Sequence, residues 1–193
     1  MKGAPSRDHH GLLQIRRAAE TDASAIAELH GRSFRATYSH LPKTMDAIEK
    51  GASQRLTLWT NRLQNPVAGC AVLVAEDRGG IQGFVYSGPT KDTDDNPGRT
   101  GQVFSIHVDP PAWGAGVGSE LLDNAVANLR SARFEDATLW VVDENRRARM
   151  FYEARGWNLD GTQRTEILAV GHSDGDEVDV IRYRRQLITG GDR

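Results

Sequence analysis

The chain has 193 residues, a formal net charge of −2 and a hydrophobic content of 38%, which suits one domain with a full core and is too short for two. The near-neutral balance gives no general electrostatic reason for nucleic-acid binding, and no apolar run approaches the ~20 residues of a membrane span. The single cysteine, Cys70, excludes an internal disulfide framework and fits a reducing compartment. The opening MKGAPSRDHHGLL lacks the apolar stretch of a secretory signal, so a soluble cytoplasmic chain is expected.

Residues 1–11 are polar and read as a disordered tail, in which the pair His9-His10 is too small for a metal site. Leu12 to Arg16 reads as a first strand. Thr21 is a candidate cap for a helix that begins near Ala23 and buries Ile26 and Leu29. The aromatic-rich Phe34 to Leu41 follows and is closed by Pro42. Apolar residues from Met45 to Leu63 predict a second helical region, which Gly51 divides into two shorter helices. Cys70–Ala75 and Ile81–Tyr86 predict two strands, and Asp77-Arg78-Gly79-Gly80 between them predicts an antiparallel hairpin.

The polar loop from Gly88 to Gly101 carries Asp92, Asp94 and Asn96, which imitate the start of a calcium loop. Pro97 stands where that loop needs glycine, and Val103 where it needs its last glutamate, so a solvated acidic loop is expected and no metal. The stretch from Gln102 to Arg130 organises the rest. A strand, Gln102–Val108, is stopped by Asp109-Pro110-Pro111, since proline lacks the donor that a ladder needs. The turn Gly114-Ala115-Gly116-Val117-Gly118 leads into a helix with Leu121, Leu122, Ala125, Val126 and Leu129 on one face. Free N–H groups and the positive dipole end at such a helix start suit a phosphate; clearance for close packing would also explain the glycines. Further on, Ala137–Val142 reads as a buried strand, Arg146–Arg155 as a helix ended by Gly156, and Trp157–Ile167 and Val178–Leu187 as two strands around a turn at 171–176. Residues 12–188 thus read as one α/β domain, a mixed sheet with helices on its faces, and residues 189–193 as a tail.

Gly116 and Gly118 fit the pattern (Gln/Arg)-x-x-Gly-x-(Gly/Ala) after Val108-Asp109-Pro110, and Asn145, Ala148, Phe151-Tyr152 and Gly156-Trp157 follow at a characteristic distance. With the opening Ile15-Arg16-Arg17-Ala18, Asp22–His30 and Phe34–Tyr38, the chain resembles the GNAT superfamily of acetyl-CoA-dependent N-acetyltransferases from roughly Leu13 to Leu187. The resemblance implies an α/β (α+β) fold with a mostly antiparallel central sheet, flanking helices and splayed central strands. It implies direct transfer of acetyl from acetyl-CoA to the primary amine of a small molecule, with acetyl-CoA as cosubstrate and no metal. Pantetheine would lie against Ile106 and Val108, and backbone N–H groups from Trp113 to Ser119 would hold the pyrophosphate: Trp113, Gly114, Ala115, Gly116, Val117, Gly118 and Ser119.

By the same resemblance Tyr152 is the general acid toward the departing thiolate. Asn145 is a CoA contact or a helix cap, and Arg147, with Arg146 and Arg149, meets CoA phosphates or forms a solvated helix face. Phe34 and Tyr38, with His40 and Trp59, fall where relatives build the acceptor pocket, although core packing also accounts for Phe34 and Trp59. Two positions depart from the pattern. Trp113 replaces the usual Gln or Arg, and Gln102 stands where many relatives place a glutamate; an amide is no general base near neutral pH. His107 is then the candidate base, or a hydrogen-bonded strand residue facing away, and Gln102 or Ser105 could position a relay water. Alternative readings are a non-catalytic acyl-CoA-binding regulatory module and an enzyme acting on a protein N-terminus or lysine. A homodimer is also expected.

Overall fold

The computed structural model describes residues 12–169 and 174–187. Its strands are β1 (Gln14–Arg17), β2 (Ala71–Asp77), β3 (Gly80–Pro89), β4 (Thr100–Val108), β5 (Asp136–Val142), β6 (Asn158–Leu168) and β7 (Asp176–Gln186). The helices are α1 (Ala23–Tyr38), α2 (Pro42–Lys50), α3 (Ala52–Gln64), α4 (Val117–Ser131) and α5 (Arg146–Glu153). The strands form one seven-stranded sheet in the order β1-β2-β3-β4-β5-β7-β6, antiparallel except where β4 meets β5.

Alternation along the hairpin strands gives the sheet two apolar faces. Leu73, Ala75 and Val85 join Leu121, Leu122 and Ala125 of α4 in one core. The intervening Val72, Val74, Phe84 and Tyr86 meet Ile26 and Leu29 of α1 and Trp59 of α3 on the other side. Each of the Val, Leu, Ile and Phe side chains among these that leaves water contributes roughly 1.5–3 kcal/mol, so helices on both faces are needed to complete the domain. Gly83 lets α4 sit close: a Cβ there would lie 2.8 Å from the His107 carbonyl oxygen and 2.9 Å from Leu121.

The parallel ladder between β4 and β5 pairs Thr100–Val103 with Asp136–Leu139 and then ends. Beyond it β4 stays bonded to β3 as far as Val108, and β5 to β7 as far as Val142. The two strands therefore part in the middle of the sheet, the splay expected from the sequence.

Several local expectations are corrected. Pro42 does not close the aromatic segment: α1 runs on to Tyr38, and Pro42 opens α2 as its first residue, where its missing N–H costs nothing. Helical geometry consequently places Phe34 and Tyr38 four residues apart on one face, with ring centroids 5.2 Å apart. Thr21 lies within a single 3-10 turn, Glu20–Asp22, and Asp22 accepts the Ala19 N–H at 2.7 Å while pairing with Arg16. Gly51 does separate α2 from α3. The tails, His9-His10 and residues 170–173 of the expected turn fall outside the described residues.

The loop from Thr90 to Arg99 is not simply solvated. Asp92 is buried, accepting from the Trp140 indole N–H with both oxygens at 3.0 Å. The Arg182 guanidinium, only 4% exposed, reaches Asp94 at 2.7 Å, Asp160 at 2.6 Å, Asp95 at 3.3 Å and Asp92 at 3.4 Å. These contacts pin the loop onto β5 and β7 at the closed end of the sheet. Replacing Arg182 with alanine leaves that aspartate cluster without its shared cation and should lower stability by about 3–5 kcal/mol, read from the urea midpoint. Arg99→Ala, which removes an exposed pair with Glu135, should leave the midpoint essentially where it is.

Candidate active site

A cavity of about 890 Å³ occupies the opening between β4 and β5 and extends from the glycine turn to the faces of α1 and α3. At one end Gly114 and Gly116 hold φ of 81° and 87°, a conformation that favours glycine, and Gly116 is the residue at which α4 begins. No other atom lies within 4 Å of a Cβ built on either, so the reason for glycine there is conformational and not clearance. Gly118 differs, because a Cβ there would make ordinary 3.5 Å contacts with Phe151 and Val108.

Not all of the expected phosphate donors are available. The N–H groups of Trp113, Ala115 and Ser119 donate to Pro110, Ala112 and Gly116 at 3.2, 3.3 and 2.9 Å. Those of Gly114, Gly116, Val117 and Gly118 have no backbone acceptor among the described residues, as the first turn of a helix dictates. Trp113 donates its indole N–H to the Val108 carbonyl at 2.8 Å, and the Arg147 guanidinium lies 3.7 Å from its ring centroid. Arg155, which the sequence reading passed over, bonds the Ser119 hydroxyl and stacks on Phe151. Free donors, a helix start and two cations make this end of the cavity suitable for a diphosphate.

Tyr152 and Asn145 lie on the cavity wall, Asn145 at the entry of α5 and Tyr152 in its last turn. Asn145 caps α5 by accepting the Ala148 N–H at 3.1 Å, and its amide donates to the Tyr38 hydroxyl at 3.3 Å. The cap and the cavity-facing contact therefore coexist. Tyr152 is 7% exposed, and its hydroxyl has no hydrogen-bond partner among the described residues. Burial, with a smaller effect from Tyr38, pushes its phenol well above the usual range, so it keeps its proton.

His107 faces α1. Its Nδ1 is 3.1 Å from Ser33 Oγ, and its ring lies 4.4 Å from His30 between centroids. Burial depresses its pKa to about 4. His30 is depressed further by burial and then by His107, and its Nδ1 accepts the Trp59 indole N–H at 3.2 Å. Phe34 and Tyr38 complete this wall. His40 is exposed and outside it, and Arg149 turns away toward Asp143 and Tyr183. Gln102 does not reach the cavity: its amide oxygen accepts the Lys91 N–H at 2.9 Å and its nitrogen faces Asp92. His30 was legible only as a histidine on the apolar stripe Ile26, His30, Phe34 at four-residue spacing.

A profile of the acetyltransferase (GNAT) family matches residues 23–157, a span that contains the glycine turn, Asn145 and Tyr152. The chain belongs to this family. The chain is 28% identical to Rv2775 of Mycobacterium tuberculosis, named a probable N-acetyltransferase, over 77% of this chain and 82% of that one. It is 35% identical to the mycothiol acetyltransferase of Propionibacterium freudenreichii over 47% of this chain, and spans 28% of that protein's length. Among solved structures it superposes on YncA of Salmonella typhimurium, described with its cofactor acetyl-CoA, with a TM-score of 0.68 and 22% identity over 94% of this chain and 97% of that one. It also superposes on the PaiA N-acetyltransferase of Thermoplasma acidophilum in complex with coenzyme A, with a TM-score of 0.67 and 15% identity over 90% and 98%. At these identities the structural likeness is one of fold. Among the described residues no helix is long and apolar enough to cross a membrane.

The buried histidines give the protein a testable pH response. In the unfolded chain a histidine gains a proton near pH 6.5, whereas folded His107 resists until about pH 4. Stability is therefore full above pH 6.5 and falls as pH drops through that window, by at most about 3 kcal/mol for His107. Thermal denaturation from pH 7.5 to 4.5 should show this fall, and His107→Gln should reduce it while buried His30 sustains the remainder.

Proposed function

We propose that the enzyme transfers acetyl from acetyl-CoA to the primary amine of a small molecule, by direct attack while both are bound. One observation carries the reading: the gap between β4 and β5 joins the glycine turn, with its free N–H groups, to the unpartnered Tyr152 hydroxyl. When bound, acetyl-CoA supplies an activated thioester. Gly114, Gly116, Val117 and Gly118 would donate to its pyrophosphate, with Arg147 and Arg155 beside them. The edge of β4 has no sheet partner at Ile106 and Val108 and would pair with the amide groups of the pantetheine arm, much as an added strand does, although the Val108 carbonyl already accepts from Trp113.

Tyr152 holds its proton through neutral pH and would donate it toward the departing sulfur, whose own basicity rises in a dry site. Among the described residues the carboxylate that lines the cavity, Glu166, is paired with Arg164 at 2.5 Å and so is a poor substitute for a glutamate at Gln102. His107 is neutral and too weak a base to strip an ammonium, so it would orient the amine by hydrogen bonding. Burial of the amine between these walls would disfavour its charged form and so lower the cost of losing its proton. The absence of a strong base also favours a second reading, a regulatory protein that binds acyl-CoA without turnover.

Thiol release from acetyl-CoA over a panel of amines separates these readings, since binding without release on any amine supports the second. Tyr152→Phe should lower kcat by about 10²-fold or more with little change in acetyl-CoA KM. Gly116→Val forces a branched residue into a left-handed position at the phosphate end and should weaken acetyl-CoA binding at least ~10-fold by calorimetry. Gly118→Ala, where the Cβ has room, should bind nearly as tightly as the parent.

A further inference from the structure

The end of the cavity away from the glycine turn carries two cations with no acidic partner. Arg62, from the last turn of α3, is partly buried there, and no carboxylate pairs with it among the described residues. Its guanidinium sits between two nearly perpendicular aromatic rings, 4.7 Å from the Trp59 centroid and 4.3 Å from that of Tyr86. Lys91, on the pinned loop, places its ammonium 4.7 Å from the Phe104 centroid, and Phe104 in turn packs on Tyr86 at 4.7 Å. Glu166 also lines the cavity, but Arg164 holds it at 2.5 Å and neutralises it locally. Arg147 and Arg155 stand apart, engaged at the glycine turn.

We infer that Arg62 and Lys91 form the binding site for a carboxylate on the acceptor, so that the substrate is an amine that also bears a carboxylate, with an apolar or aromatic body between. This rests on the acetyl-transfer reading and names its substrate class. A partly desolvated guanidinium without a counter-ion is costly, and an entering carboxylate relieves that cost with paired hydrogen bonds. Tyr86 is within hydrogen-bonding reach of Arg62, and the remaining N–H groups of the guanidinium would form such a fork. The rings of Trp59, His30 and His107 follow one another at 5.8 and 4.4 Å, giving an aromatic path from Arg62 to the wall where the amine is acetylated. The pinned loop has a function in this arrangement. Asp92, bonded to Trp140, and Gln102, bonded to the Lys91 N–H, hold Lys91 at the cavity edge.

The test uses matched acceptors in which a spacer separates the amine from the carboxylate, 6-aminohexanoate and 4-(aminomethyl)benzoate, each against its carboxamide and against the amine lacking the carboxyl group. Turnover is followed by thiol release, and binding by quenching of tryptophan fluorescence. The parent enzyme should prefer the carboxylate member of a pair by at least ~10-fold in kcat/KM or in affinity. Arg62→Gln should abolish that preference, chiefly through KM, and leave the uncharged partners within about twofold; Arg62→Lys should restore part of it. Equal handling of all members of every pair, by turnover and by binding, overturns the inference. So does an Arg62→Gln variant that loses charged and uncharged acceptors alike, which marks a structural role. Acetyl-CoA calorimetry on the same protein keeps the two levels distinct: failure to bind acetyl-CoA defeats the transfer reading, whereas tight binding with no carboxylate preference defeats this inference alone.

Discussion

Strand β4 is nine residues long, yet its ladder to β5 has four pairs. From Phe104 to Val108 the edge that should face β5 has no sheet partner, and backbone N–H and C=O groups kept from water must bond to something. That unmet requirement sets the rest of the molecule. The two strands are each held firmly on their far sides, β4 by β3 and β5 by β7, so the gap cannot close by simple collapse. Helix α4 starts at the mouth of the gap and points its unbonded N–H groups into the same space. An extended ligand with a diphosphate head matches both features at once, and this is why the fold and the acyltransferase assignment belong together.

The charges around the gap are arranged by burial. Acidic residues are gathered at the closed end, where Arg182 and Arg184 neutralise them. The open cavity is left with cations at both ends and neutral groups between. His107 and His30 stay uncharged because they are buried against each other and against aromatic rings, while Tyr152 and Tyr38 keep their protons for the same reason. A site of this kind orients ligands by hydrogen bonds and excludes water. It contributes little strong base, in agreement with the amide at Gln102.

What the sequence disclosed was mostly local. The hairpin at Asp77–Gly80, the split at Gly51, the apolar stripe of α4 and the cap at Asn145 all depend on residues a few positions apart, where turn chemistry and periodicity act directly. What it concealed was long-range. Asp92 looked solvated because its partners, Trp140, Arg164 and Arg182, are 48 to 90 residues away. Pro42 ends one helix and opens another in equally plausible patterns, and only the packing of Phe34 and Tyr38 on α1 decides between them. The glycine turn was recognised as a motif, but its spacing pointed to Gly116 and Gly118, whereas the dihedral angles assign the constraint to Gly114 and Gly116. The direction in which His107 faces depends on an irregularity in the β3–β4 ladder at Tyr86–Ser87, which no alternation pattern reveals.

Amide hydrogen–deuterium exchange with and without saturating acetyl-CoA addresses the gap most directly, because it reads the backbone groups that the account holds to be waiting for a ligand. Exchange should slow in two places only, the β4 edge from Phe104 to Val108 and the start of α4 from Gly116 to Gly118, with β6 and α2 unchanged. Bound acetyl-CoA that leaves both segments exchanging as fast as in the free protein, and protects another surface, would contradict it.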